Sequence, residues 1–212
     1  MMRSIQLALA ILIVAGCADP GPRNTGVYLL LDTSGTYSQE LDKAEQIINY
    51  TLSRLDALDS FAVARIDTGS FSERDIVAKV TLDDRPSAAN GQKRQFSETV
   101  HEFLSDVESS RNTDITGGLL QAVEFLNEKE TGRKTIFVFS DLKEDLEQGY
   151  VRDISIPLDG FEVVALNVTK LRSDNIDPRE YLDRLQMWER RVEDEGGTWR
   201  VINDLDRLER LL

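Results

Sequence analysis

From residue 26 onward, short apolar runs alternate with longer amphipathic stretches, a pattern typical of a mostly parallel β-sheet covered by helices. The runs VYLLL, TIFVF and EVVAL are apolar without alternation, which predicts strands buried on both faces at the centre of the sheet. The stretch DIVAKVTLD alternates instead, and predicts an edge strand with one face in water. The predicted strands span residues 27–31, 61–66, 76–82, 135–139, 162–167 and 199–202.

Apolar residues at three- and four-residue spacing predict helices that lie on this sheet. The stripes occupy residues 41–55, 96–107, 115–126, 181–192 and 205–212. Too few residues separate the second and third strands for a crossover helix, so that pair predicts an antiparallel hairpin. The predicted fold class is therefore α/β: a doubly wound, mostly parallel central sheet with one antiparallel edge strand and helices on both faces. We expect one domain over residues 26–212.

The amino-terminal segment has the layout of a secretory signal peptide over residues 1–16, with a basic start at Arg3 and an apolar run that follows it. That run is shorter than the about 20 residues that a membrane-spanning helix needs. The sequence VAGC, which ends at Cys17, resembles the lipobox of bacterial lipoproteins. The resemblance implies that Cys17 is lipidated and begins the mature chain. The alternative is an ordinary small apolar cysteine at the end of a signal sequence.

Residues 17–25 would then hold the lipidated cysteine and a linker rich in proline and glycine. The acyl chains that lipoprotein processing supplies would anchor the protein to a membrane. We expect a protein of the cell envelope, lipid-anchored outside the cytoplasm at the periplasmic face. Ala18 after the cysteine, where an aspartate would redirect sorting, favours the outer membrane in a Gram-negative cell by the habit of such lipoproteins.

Composition excludes several function classes. The chain has 38 acidic and 25 basic residues and a net charge of −13, which argues against binding nucleic acid by charge attraction. A single cysteine cannot form an internal disulfide. The one histidine, His101, lies beside an apolar helical stripe and is expected on the surface. No nucleophile or phosphate-loop motif is present, so we expect that the protein is not an enzyme.

Three predicted loops carry unusual polar residues. They are DTSGT at residues 32–36, NTDITGG at residues 112–118, and Ser140-Asp141 after the fourth strand. Because loops at the carboxyl ends of parallel strands meet at one edge of the sheet, these groups are expected to lie together. Each also has a simpler interpretation: Asp32 as a strand-end turn, Thr113 as a helix cap, and Asp141 as the start of a helix.

The three segments together resemble the metal-ion-dependent adhesion site of von Willebrand factor type A domains. DTSGT is similar to the D-x-S-x-S/T segment of that family, TDITGGL to its threonine loop, and IFVFSDL to its strand ending in aspartate. The resemblance implies a site for Mg²⁺, or for Mn²⁺ or Ca²⁺, and a partner protein that offers an acidic side chain to the metal. The implied ligands are Asp32, Ser34, Thr36, Thr113 and Asp141.

Two residues depart from the family pattern. Leu142 stands where the family has glycine, and Thr36 where serine is commoner. We expect the leucine to pack over the site and restrict the approach of a partner.

Two other functions stay open at this point. The chain could be a scaffold whose metal site is structural or vestigial. Because DTSGT and IDTGSF, the second at residues 66–71, are similar to the loops of aspartic proteases, a protease is a remote alternative.

Overall fold

The computed structural model describes residues 22–35, 37, 40–66, 72–146, 148–149, 152–171, 173–204 and 211. The predicted signal peptide, Cys17 and Thr36 lie outside the described residues. The same holds for the last predicted helix, of which only Leu211 is described, as a buried residue. Lipidation of Cys17 and metal binding by Thr36 therefore stay predictions.

In the part of the chain that the structure describes, six strands form a single sheet, and all six were predicted. They are β1 (Thr25–Leu31), β2 (Ser60–Arg65), β3 (Ile76–Thr81), β4 (Arg133–Phe139), β5 (Phe161–Leu166) and β6 (Thr198–Ile202). Their order is β3-β2-β1-β4-β5-β6. β2 and β3 pair antiparallel, whereas the other neighbours are parallel. The structure confirms the antiparallel hairpin and its position at the edge.

Within the described residues, four α-helices cover the sheet: α1 (Leu41–Arg54), α2 (Pro86–Asp106), α3 (Ile115–Glu128) and α4 (Pro178–Asp194). Alternate residues of each central strand point to opposite faces, so β1 places Tyr28 and Leu30 under α3 and α4, and Leu29 under α1 and α2. The core thus has two layers, one on each side of the sheet. Among the described residues, no helix combines the length and apolar character needed to cross a bilayer.

The strand order places a crevice next to β1 and β4. From β1 the chain continues to β2 on one side, whereas from β4 it continues to β5 on the other. The loops that leave the carboxyl ends of these two neighbours therefore diverge, and an opening remains between them. This is the point at which α/β sheets of this type bind ligands.

Candidate metal centre

Asp32 follows β1 directly and lies at the centre of the crevice. Its backbone N–H donates to the carbonyl of Phe139 on β4 at 3.0 Å, and the residue is 1% exposed. Its Oδ1 accepts a hydrogen bond from the N–H of Ser34 at 2.8 Å, and its Oδ2 accepts one from the hydroxyl of Ser140 at 2.6 Å. Asp32 therefore does form the strand-end turn, and its second oxygen also joins the β1 loop to the β4 loop.

The Thr113 hydroxyl points to Asp32 rather than capping α3. The N-cap is Asp114, whose Oδ1 accepts from the N–H of Gly117 at 2.8 Å. Arg152 fixes Asp114 from the other side through an ion pair at 2.7 Å. The hydroxyl of buried Thr113 lies 3.5 Å from Oδ1 of Asp32. The interpretation of Thr113 as a helix cap is wrong, because its neighbour occupies that position.

Asp141 lies in an irregular segment after β4 and is 3% exposed. Its Oδ1 accepts a hydrogen bond from the N–H of Lys143 at 2.8 Å, and its carbonyl accepts one from Nε of Arg184 at 2.8 Å. Residues 141–144 are not helical, so the interpretation of Asp141 as a helix start is wrong. The local hydrogen bond to Lys143 forms a turn instead.

Leu142 does not pack over the site, contrary to expectation. Its φ of 64° is in the left-handed region, where the family's glycine would sit without strain. This backbone conformation directs the side chain into the core layer that includes Trp188, and leaves it 1% exposed. The leucine thus adds to the core and does not restrict the approach to the cleft.

One cleft of about 310 Å³ brings together Ser34, Thr113 and Asp141. Asp32 is buried behind this cleft and accepts hydrogen bonds from two residues that line it, Ser34 and Thr113. Four of the five predicted ligands therefore converge, and Thr36 lies outside the described residues. Ligation of a metal by these residues stays a prediction.

Three charged residues of the cleft were missed by the sequence analysis: Arg111, Lys143 and Asp145, all exposed. Asp145 reaches the cleft because its backbone pairs with Thr113 through two hydrogen bonds of 2.8 and 2.9 Å. No periodicity in the sequence indicates that contact.

The first loop is anchored beneath the cleft by Tyr37. Its N–H donates to the carbonyl of Ser34 at 2.8 Å. Its buried hydroxyl donates a hydrogen bond to the carbonyl of Asn167, which directly follows β5. Burial raises the pKa of Tyr37. The hydrogen bond from Asn167 lowers this pKa, whereas the negative charges of Asp32 and Asp141 raise it. Tyr37 therefore stays a neutral hydrogen-bond donor.

The donor set suits a hard divalent cation. Two buried carboxylates and two hydroxyls supply oxygen ligands of the kind that Mg²⁺, Mn²⁺ and Ca²⁺ prefer. Within the described ranges, no three His, Cys, Asp or Glu side chains group around a possible metal position, so the site depends on its hydroxyls. Neither His nor Cys is among the converging residues, which disfavours zinc. His101 lies elsewhere, exposed on α2 and 2.9 Å from Glu45, as predicted for a surface residue.

Comparisons with known proteins identify the fold. No protein-family model and no curated protein matches the sequence. The chain is similar to the structure of a von Willebrand factor type A protein from Catenulispora acidiphila, at 17% identity and a TM-score of 0.54, over 88% of this chain and 40% of that one. It is also similar to the pilus adhesin SpaC from Lactobacillus rhamnosus GG in its open conformation, at 13% identity and a TM-score of 0.56, over 89% of this chain and 29% of that one.

The chain thus spans less than half the length of either structure. It has the fold of a von Willebrand factor type A domain, as the motifs predicted. The protease alternative needs two β-lobes, whereas the described strands form one mostly parallel sheet, so its fold requirement is not met. The second aspartate of that alternative, at position 67, lies outside the described residues.

Proposed function

We propose that this protein binds a partner protein through a divalent cation held in the cleft between β1 and β4. The observation that carries the proposal is the burial of two carboxylates, Asp32 and Asp141, beside the hydroxyls of Ser34 and Thr113. Buried charges are costly unless they are compensated. The hydrogen bonds to Asp32 come from a backbone amide and two hydroxyls, all neutral donors. A divalent cation beside Asp32 would supply the positive charge that these neutral donors lack.

Asp32 and Asp141 would hold the cation, with Ser34, Thr113 and Thr36 as neutral oxygen donors. A divalent cation held by two carboxylates and neutral hydroxyls carries no excess negative charge, so it can still accept an oxygen ligand from another molecule. Arg111 and Lys143 line the same cleft with exposed side chains. Asp145 offsets one of these two basic residues, and the remaining positive charge among the exposed side chains of the cleft favours an acidic side chain on the partner.

The proposal extends to the location of the protein. Cys17 would carry the lipid, residues 18–24 would act as the spacer, and the domain would face the periplasm or the exterior of the cell envelope. Binding, and no catalytic step, is the proposed activity. A Cys17→Ser variant should move from the membrane fraction to the soluble fraction and should lose incorporation of labelled palmitate. Unchanged membrane association would overturn the anchor and leave the metal proposal intact.

Calorimetry with MgCl₂, MnCl₂ and CaCl₂ tests the metal. The wild-type protein should bind one cation, and Asp141→Asn should abolish uptake because it removes one of the two buried carboxylates. Glu108→Gln is the matched control, since Glu108 is an exposed acidic residue near the cleft that does not line it. The proposal would be refuted if the wild-type protein bound no cation, or if Glu108→Gln lost cation binding to the same extent as Asp141→Asn.

A pull-down from envelope membranes tests the partner. Capture by the wild-type protein should fall with EDTA and recover with added Mg²⁺, and Asp141→Asn should not capture the same protein. The scaffold alternative predicts capture that neither EDTA nor the substitution changes. That result, together with normal metal uptake, would assign the cation a structural role.

A further inference from the structure

Side chains on one face of α4 donate hydrogen bonds to the loop that carries Asp141. Arg184 and Trp188 are one helical turn apart, so both side chains leave the helix on the same side. Nε of Arg184 donates to the carbonyl of Asp141 at 2.8 Å. Nε1 of Trp188 donates to the next carbonyl, that of Leu142, at 2.9 Å. Two consecutive peptide groups of the proposed metal loop are therefore held by a single helix.

The guanidinium of Arg184 joins this loop to a second one. Its Nη2 and Nη1 donate to the carboxylate of Asp174 at 2.8 and 3.2 Å, while its Nε holds Asp141. The Arg184 side chain is 11% exposed, and that of Asp174 is fully buried. Asp174 also accepts the N–H of Leu171 at 2.7 Å, and Leu171 lines the cleft. The planar fork of arginine is the side chain that can make these contacts at once.

Trp188 is connected to the other carboxylate. The N–H of Leu142 donates to the hydroxyl of Ser140 at 3.0 Å, and that hydroxyl donates to Oδ2 of Asp32 at 2.6 Å. The path from Trp188 through Leu142 and Ser140 thus ends at Asp32. A leucine in the left-handed region costs about 1–2 kcal/mol, so the loop needs contacts of this kind to keep its conformation.

We propose that α4 positions both carboxylates of the cation site, and that Arg184 is its principal positioning residue. This inference rests on the proposed function. The bond from Arg184 fixes the orientation of the Asp141 peptide, and the path from Trp188 fixes the Ser140 hydroxyl that orients Asp32. Groups that orient metal ligands from behind typically change metal affinity about 10- to 100-fold when they are removed.

Arg184→Lys separates positioning from stability. The lysine ammonium can still pair with Asp174, but it cannot also donate to the Asp141 carbonyl as the guanidinium does. We expect Mg²⁺ affinity, measured by calorimetry, to fall about 10- to 100-fold while the protein stays folded. Arg179→Lys is the matched control, because Arg179 lies on the same helix and pairs with Asp177 on the surface, away from the cleft. It should bind Mg²⁺ like the wild-type protein.

Trp188 supplies a second readout. In a Trp199→Phe background, which leaves Trp188 as the only tryptophan, addition of Mg²⁺ should change its fluorescence, with the same midpoint as calorimetry. Adding Arg184→Lys should shift that midpoint by the factor seen in calorimetry. If Arg184→Lys fails to fold, Trp188→Phe, which removes the bond to Leu142 and keeps an aromatic ring in the core, should weaken Mg²⁺ binding in calorimetry.

The outcomes distinguish the two proposals. A wild-type protein that takes up no cation overturns the proposed function, and the role of α4 with it. A wild-type protein that binds Mg²⁺, together with folded Arg184→Lys or Trp188→Phe variants of unchanged affinity, overturns the role of α4 alone.

Discussion

Replacing Leu142 with the glycine that the resembled family has at this position should destabilise the protein. The substitution has two opposed effects. Glycine adopts a φ of 64° without strain, whereas leucine pays about 1–2 kcal/mol for it. The leucine side chain, however, is 1% exposed and belongs to the core layer under α3 and α4.

The loss of packing outweighs the relief of strain. Truncation of a buried leucine to alanine costs about 3–5 kcal/mol. Glycine removes the strain of the left-handed conformation, but it also loses more conformational entropy on folding, so the net gain in stability from this term is about 1 kcal/mol. The net loss for Leu142→Gly is therefore about 2–4 kcal/mol. For a chain of this size each kcal/mol corresponds to about 2–4 °C in Tm.

Urea unfolding followed by circular dichroism measures the difference, with Leu142→Ala as the matched variant. Alanine loses the same packing but keeps the strained backbone, so it should be less stable than the glycine variant by about 1 kcal/mol. The expected order of stability is wild type, then glycine, then alanine. A glycine variant as stable as the wild type would show that the leucine side chain contributes little to the core. An alanine variant equal to the glycine variant would show that the left-handed backbone is not strained.

Three further predictions concern stability, each measured as Tm or as a free energy of unfolding. Arg152→Met should cost about 3 kcal/mol, because it leaves the buried Asp114 carboxylate without its partner; a loss below 1 kcal/mol would refute this. Gly118→Ala should cost about 1–3 kcal/mol, because the added methyl group would lie 2.7 Å from Cγ2 of Ile66. Gly91→Ala is the control: it has open space around it and should leave stability unchanged or raise it. The pKa of Asp174 is lowered by its hydrogen bonds from Arg184, so the ionised carboxylate stabilises the fold above its unfolded pKa, and this stabilisation is lost as the pH falls through the folded pKa. Asp174→Asn should therefore be less stable than the wild type at pH 7, and the difference in stability should shrink in acid. A difference that stays the same in acid would contradict this.

The fold could be predicted because its strands carry strong periodicity. Central strands such as β1 are apolar on both faces, and the alternation of Ile76, Ala78 and Val80 marks a strand with one wet face. The short connection between β2 and β3 leaves only a hairpin. Parallel pairing then places the loops after β1 and β4 at one edge, which is why the convergence of Ser34, Thr113 and Asp141 followed from the sequence.

The details of the site depended on geometry that no local pattern contains. Thr113 and Asp114 are both good capping residues, and only the backbone decides that Asp114 caps α3. The direction of Leu142 follows from its left-handed φ. Arg184 contacts Asp141 from 43 residues along the chain, and no helical stripe indicates that contact. Contacts set by tertiary packing were therefore the part that sequence reasoning could not supply.

The direction of β1 has a consequence for how the protein would sit at a membrane. Its seven residues run from Thr25 at one rim of the sheet to Leu31 at the other, and six steps of about 3.3 Å separate the rims by about 20 Å. The chain enters β1 at the first rim, whereas Asp32 leaves it at the second. A lipid on Cys17 would therefore be joined to the domain at the rim opposite the cleft, so the point of attachment would not block an incoming partner.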